Sequence, residues 1–314
     1  MKDKLIIITG PTASGKSDIA IDLARKINSQ IISSDSQQVY RYMDIGTNKV
    51  DDFTVDHHLI NLVNPDENFT VDNFRNEALN IIRKLNDNGL TPIMTGGTGF
   101  YIDSILFDMN YGNVSKNQEL RDKLDSEADE FGNDYLFEKL KEVDPESASK
   151  YHPNERNRII RALEIYKETG VKASVQRTGE RVLNNDIDPI LFFLNYERRD
   201  ILYKKINIRV EQMIDQGLIE EFKDLIERFN LTPDNQSMSA IGYKEIFPYI
   251  NEEINKDELI ETIAQNTRRY AKRQITWMKR YKNYPFCHEI LMDKLSKEDA
   301  GMIIESIIKD VYGL

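Results

Sequence analysis

Eight consecutive residues, Gly10-Pro11-Thr12-Ala13-Ser14-Gly15-Lys16-Ser17, match the G-x-x-x-x-G-K-[ST] phosphate loop without exception. That chemistry needs these residue types. The glycines let backbone N–H groups turn inward around phosphate oxygens, and the start of a helix adds positive potential. Lys16 brings a full charge, and the Ser17 hydroxyl can ligate Mg²⁺. A chance glycine-rich turn is the alternative. The flanking pattern, an apolar run before and an amphipathic helix after, argues against it.

A phosphate loop does not identify its phosphate. ATP or GTP is the default, and with it a kinase or NTPase. The apolar run at 92–95 ends in Gly96-Gly97-Thr98, where a Walker-B aspartate would be expected. The run at 30–33 does reach an acid, Asp35, inside the polar cluster Ser33-Ser34-Asp35-Ser36-Gln37-Gln38. The carboxyl end of a strand is where open α/β sheets place ligands, so Asp35 is a candidate metal ligand or general base. A helix N-cap is the competing reading for Asp35, and equally for Thr98. His57-His58 lacks further ligands at metal-site spacing, and neighbours on a strand point to opposite faces. The pair reads as structural or substrate-adjacent.

The elements that must position these residues follow from hydrophobic period. Residues 4–9 (KLIIIT) form a compact apolar run of the kind found in buried parallel strands, and 16–28 carry Ile19, Ala20, Leu23 and Ile27 on one helical face. Strand character returns at 30–33, 92–95 and 190–195, with a helix over 70–86. This alternation predicts an α/β fold with a parallel sheet of the P-loop NTPase type. From about 112 to 188 the chain turns polar, charged and helical, punctuated by Asp144-Pro145 and His152-Pro153. That segment reads as an inserted all-helical domain, 112–188, within a core of 1–111 and 189–314. Long helices are expected at 198–229 and 257–283.

The chain has 314 residues, 30% of them charged, and a net charge of −11. No apolar run approaches the roughly 18–20 residues that span a bilayer. With Cys287 the only cysteine, neither a disulfide framework nor a cysteine zinc site is expected, and the setting reads as cytoplasmic. An acidic chain is a poor general partner for nucleic acid. Yet Arg268 to Lys282 reads RRYAKRQITWMKRYK, seven basic residues with no acid. Arg269 and Arg273 stack one helical turn apart, as do Arg268 and Lys272. Tyr270, Trp277 and Tyr281 interleave with them, suited to stacking on bases or to packing a core, with core packing favoured for Trp277. A solvated helix face is the competing reading for the charges.

The sequence closely resembles the tRNA dimethylallyltransferase (tRNA isopentenyltransferase) family, in its short bacterial form without a zinc-finger extension. The likeness rests on GPTASGKS at 10–17, SSDSQQVYRYMDIGTNK at 33–49 and HHLINLVNPDENFTVDNF at 57–74. It continues through GGTGFY at 96–101, HPNERNRIIRALEIYKETG at 152–170, SAIGYKE at 239–245 and RRYAKRQITWMKR at 268–280. The resemblance implies transfer of a dimethylallyl group from its diphosphate to an adenine N6 beside the anticodon, in tRNAs reading codons that begin with U. It implies that Gly10 to Ser17 bind the diphosphate, that Ser17 holds Mg²⁺, and that Asp35, Thr98 and Arg209 are catalytic. Asp35 would be the general base on N6, Thr98 would face the bridging oxygen, and Arg209 would reach the diphosphate. For tRNA it points to Asp35, Ser36, Gln37 and Gln38, to Asn157, Arg158, Ile159, Ile160 and Arg161 in the insert, and to Arg269 and Arg273. The expected partners are a tRNA anticodon arm and dimethylallyl diphosphate, with no membrane and a monomeric state. A nucleoside or small-molecule kinase is the first alternative, and a non-catalytic RNA-binding protein the second. The intact Lys16-Ser17 pair argues against the latter.

Overall fold

The computed structural model describes residues 2–50, 54–108, 117–177 and 182–314, and the chain divides into two compact units. The first comprises Met1–Leu106 and Asn184–Leu314, the second Phe107–Leu183. The boundaries therefore fall earlier than 112 and 188. Asn184 already bonds back to Leu106, and strand character resumes at Ile187. Residue 112 itself lies outside the described residues.

The first half of the larger unit runs β1 (Asp3–Thr9), α1 (Lys16–Lys26), β2 (Ile31–Ser33), β3 (His57–His58), α2 (Val71–Asp87), β4 (Ile93–Gly96) and α3 (Gly99–Leu106). Leu5 to Ile8 are wholly buried, as befits a parallel strand covered on both faces. Each such side chain contributes about 1.5–3 kcal/mol of apolar burial. Helix α2 starts where Thr70 and Asn73 satisfy each other's backbone N–H groups.

The smaller unit holds α4 (Gln118–Phe131), α5 (Asn133–Val143), α6 (Pro145–Ala148), α7 (Arg156–Thr169) and α8 (Ala173–Arg177). Its core is formed by Leu124, Leu136, Leu140, Ile159 and Leu163, with Ile160 also buried. Glu164 is fully buried, yet Arg121 grips it with two bonds of 2.9 and 2.7 Å and Arg161 adds a third at 2.5 Å. Burial alone would raise the carboxyl pKa. The two guanidiniums and the Asn117 N–H outweigh it and hold the pKa low.

The chain then returns through β5 (Ile187–Asn195), α9 (Arg199–Asp215), α10 (Leu218–Phe229), α11 (Ile246–Ile250), α12 (Lys256–Met278), β6 (Cys287–Leu291) and α13 (Lys297–Tyr312). The span 198–229 is two helices, because Gly217 turns left-handed at φ 98° and restarts the backbone. A 3₁₀ turn, Lys279–Asn283, continues α12. The six strands are all parallel in the order β3-β2-β4-β1-β5-β6. This is the P-loop NTPase-like core expected from the alternation of elements. The carboxyl ends of β1, β2 and β4 meet along one edge: Thr9 pairs with Gly96, and Ser33 with Thr95. Among the described residues no helix is long and apolar enough to cross a membrane.

Candidate functional site

The phosphate loop leaves β1 at Gly10, whose missing side chain is a packing requirement. A Cβ there would lie 2.6 Å from the Leu194 carbonyl oxygen on β5. Ala13 and Gly15 both adopt left-handed backbone, at φ 61° and 82°, and curl the loop into the N-terminus of α1. Lys16 folds back inside the loop, donating from Nζ to the Pro11 carbonyl at 3.3 Å. Burial lowers its pKa to about 8, partly opposed by nearby Asp35 and reinforced by Arg209.

Arg209 projects from α9, and its Nη1 donates to the Thr12 hydroxyl at 2.7 Å. Burial also lowers its pKa, and Asp35 opposes the shift. The Arg209 Nε is buried with no partner. Two cations thus sit beside one carboxylate, leaving the region positive and holding a donor that an incoming anion can satisfy.

Asp35 lies two residues beyond the end of β2. Its Oδ1 accepts the Gln37 N–H at 2.9 Å, so the residue closes a local turn rather than capping a regular helix. Thr98 is joined to the same segment. Its N–H donates to the Ser34 carbonyl, and its Oγ1 accepts the Ser36 N–H at 3.0 Å. The Thr98 carbonyl accepts from Tyr101 and Ile102, so it also opens α3. Thr98 thus opens α3 through its carbonyl while its hydroxyl is bonded to Ser36, beside Asp35.

Two cavities adjoin here. The smaller, about 70 Å³, is polar and includes Lys16, Ser17, Asp35, Thr95 and Gly96 in its lining. The larger, about 250 Å³, includes Val210, Met213, Ala240 and Ile241 in its lining. Thr12, Asp35, Thr47, Arg209 and Tyr270 border both. An anion held in the first would therefore face a half-apolar chamber in the second, across Asp35.

For a divalent cation, the Ser17 hydroxyl and the Thr95 hydroxyl line the smaller cavity, and Thr95 Oγ1 is buried without a partner. Hydroxyl oxygens beside a phosphate cradle suit a hard cation such as Mg²⁺.

Ser36 and Gln37 line the larger cavity, and Gln37 Oε1 is buried and unbonded. Gln38 is committed to scaffolding: it accepts from Ser33 Oγ and donates to the carbonyls of Thr47 and Asn48. On α12, Arg269 and Arg273 are exposed, and Arg273 borders the larger cavity while lying 5.6 Å from the Tyr270 ring. Tyr281 is core, buried and donating to Asp103 at 2.7 Å. Trp277 fills the space above Gly99, and Arg280 lies over its ring at 4.4 Å.

In the smaller unit the proposed RNA contacts divide. Asn157 and Arg158 are exposed, Arg158 pairing with Glu155. Ile159 and Ile160 turn their side chains, 0% and 3% exposed, into that unit's core, so no direct side-chain contact with RNA is expected of them. Arg161 is drawn onto Glu164. His57 and His58 serve structure: β3 pairs with β2, His57 Nδ1 contacts the Val55 carbonyl at 2.8 Å, and His58 Nε2 contacts Gln30 Oε1 at 2.7 Å.

Sequence reasoning passed over three supports. Gln274 reaches from α12 to the phosphate loop. Glu221 accepts the backbone N–H groups of Asp44, Ile45 and Gly46 together with the Tyr243 hydroxyl. Thr95 is the third. Gly97 has Gln274, and Gly46 has Tyr243, where a Cβ would stand, but a glycine does not name the distant residue that it admits.

Comparison with known proteins adds to this geometry. The family model described as IPP transferase matches residues 38–281, and one described as isopentenyl transferase matches 3–56. A tRNA dimethylallyltransferase of Thermoanaerobacter sp. is 46% identical over 100% of this chain and 99% of its own. The solved tRNA isopentenylpyrophosphate transferase of Bacillus halodurans superposes with TM-score 0.70 at 37% identity, covering 98% of this chain and 96% of that one. A eukaryotic dimethylallyltransferase, solved acting on tRNA, gives TM-score 0.82 at 29% identity over 99% and 80%.

Proposed function

The chain belongs to the IPP transferase family, and on that premise we propose that it transfers a dimethylallyl group from dimethylallyl diphosphate to N6 of an adenine in tRNA. The observation that carries this reading is the pair of adjoining cavities with Asp35, Arg209 and Thr12 on their common border.

The N6 lone pair forms a C–N bond to the allylic carbon, the C–O bond to diphosphate breaks with its electrons, and one N6 proton leaves to the Asp35 carboxylate. Gly10, Pro11, Thr12, Ala13, Ser14 and Gly15 form the cradle for the leaving group with Lys16 and Ser17. The Arg209 fork neutralises the charge that grows as the C–O bond breaks. Thr98, joined to the Asp35 segment through Ser36, offers its hydroxyl to the bridging oxygen. Ser17 would hold Mg²⁺, which supplies Lewis-acid neutralisation of diphosphate charge when bound. A carboxylate hydrogen-bonded to a weakly nucleophilic amine contributes roughly 10²–10⁴-fold as general base.

The finer reading is that the acceptor is the adenine at position 37, 3′ of the anticodon, in tRNAs reading codons that begin with U. Asp35, Ser36 and Gln37 would meet the flipped base, while Arg269, Arg273 and Arg158 would contact phosphates of the anticodon arm. A base taken from its stack costs a few kcal/mol, which phosphate contacts offset. We assign a monomer acting in the cytoplasm.

The test is incubation with unmodified tRNA, donor and magnesium, then digestion to nucleosides and chromatography. Appearance of N6-isopentenyladenosine supports the reading. Unmodified adenosine together with ATP-dependent phosphorylation of a small acceptor would replace it with the kinase reading.

A further inference from the structure

Helix α12 carries one buried polar residue whose two ends touch two different parts of the site. Gln274 is 5% exposed. Its Oε1 accepts the Thr12 N–H at 2.8 Å, and its Nε2 donates to the Gly97 carbonyl at 3.1 Å. One turn earlier, Tyr270 lines both cavities. The phosphate loop and the turn bearing Thr98 are thus bridged by a single carboxamide.

Only a carboxamide suits this place among side chains of that length. It offers an acceptor and a donor from one planar group, whereas an ionised Glu has acceptors alone and Met has no donor and only a weak acceptor. Gly97 has no room for a side chain, since a Cβ would stand 2.0 Å from Gln274 Nε2. The Thr12 N–H is also committed to Gln274 before any anion arrives, so the loop is set in place by protein rather than by ligand.

We propose that Gln274 is a positioning residue of the transfer step: it holds the phosphate loop and Thr98 in register, so that the diphosphate seated in one presents its departing oxygen to the other. The proposal rests on the prenyl-transfer reading above. Gln274 need not touch the substrate. It acts on the geometry of groups that do, where a displacement of about 1 Å costs on the order of 10²-fold in rate.

Two variants test it, with unsubstituted enzyme assayed in parallel. If that enzyme makes no product, the prenyl-transfer reading fails and this comparison does not begin. For Gln274→Met, kcat per folded molecule should fall about 10²-fold, with KM for tRNA moving by less than about threefold. For Gln274→Glu, a protonated carboxyl restores one donor and one acceptor. Its activity relative to the parent should therefore rise about tenfold as the assay moves from about pH 8 to about pH 6. The pH ratio stands by itself should the methionine variant fold poorly. A kcat within about threefold of the parent for the methionine variant, with only its melting temperature lowered, assigns Gln274 to packing and overturns the proposal. A flat pH ratio for the glutamate variant overturns it as well.

Discussion

Arg209, on the helix that follows β5, donates to the hydroxyl of Thr12 at 2.7 Å across 197 residues of sequence. The contact ties the cation to the phosphate loop while leaving its Nε unbonded. The guanidinium is therefore already located, with one N–H free to meet the anion. Lysine has the charge but not the fork, so Arg209→Lys should lower kcat/KM for the donor by about 10²–10³-fold. Steady-state kinetics with varied donor at saturating tRNA reads this directly, and a loss below about threefold would remove Arg209 from the leaving-group site.

Asp35 is assigned the proton. Asp35→Asn keeps the size and an acceptor for the Gln37 N–H, and removes the base. Turnover should drop roughly 10²–10⁴-fold while tRNA affinity stays close to the parent's. Single-turnover rates beside a filter-binding measurement separate the two, and near-parental turnover would reassign Asp35 to its local turn.

The Lys16 pKa, lowered to about 8 chiefly by burial, gives a pH prediction. Below that value Lys16 is charged and can attract the diphosphate; above it the free enzyme loses the charge. Donor kcat/KM should therefore fall as pH rises through about 8. Bound diphosphate favours the ammonium and raises the pKa, so kcat at saturating donor should hold to higher pH. Identical descending limbs in both profiles would contradict the assignment.

How much of this was legible beforehand depended on how local each feature is. The phosphate loop is eight contiguous residues, and Asp35 lies two residues beyond its strand, so both could be read directly. The burial of the Ile159 and Ile160 side chains has a sequence signal, since Ile159 and Leu163 are one helical turn apart and mark a core face. Gln274 was illegible because its partner Gly97 lies 177 residues away. Strands β3 and β6 were not foreseen as such because edge strands of two and five residues, mostly half-buried, lack the apolar run that announces β1.

On α12, Arg269 and Arg273 share an exposed face. Replacing both with Ala should weaken tRNA binding and make log K less steep in log salt by about 1.4–1.8, the loss of two phosphate contacts. An unchanged slope would mean that the two arginines are merely solvated.

Gly46, in the lining of the larger cavity, offers a stability test. A Cβ there would come within 2.2 Å of the Tyr243 ring, which is buried and donates to Glu221. Gly46→Ala should cost about 1–3 kcal/mol by overpacking. It should also disturb the 44–46 segment held by Glu221, visible as a lower denaturant midpoint with an unchanged slope. An unaltered midpoint would show that Tyr243 moves aside freely.

The central claim is that the loop holds a group that departs, not one that is transferred. Donor carrying heavy oxygen at the bridge between carbon and phosphorus decides this, with mass spectrometry of the products. The account predicts that all of the label leaves with pyrophosphate and none accompanies the dimethylallyl group. Label retained on the carbon fragment would mean that the P–O bond is the one cleaved, and would contradict the assignment of the loop, Asp35 and Arg209 together.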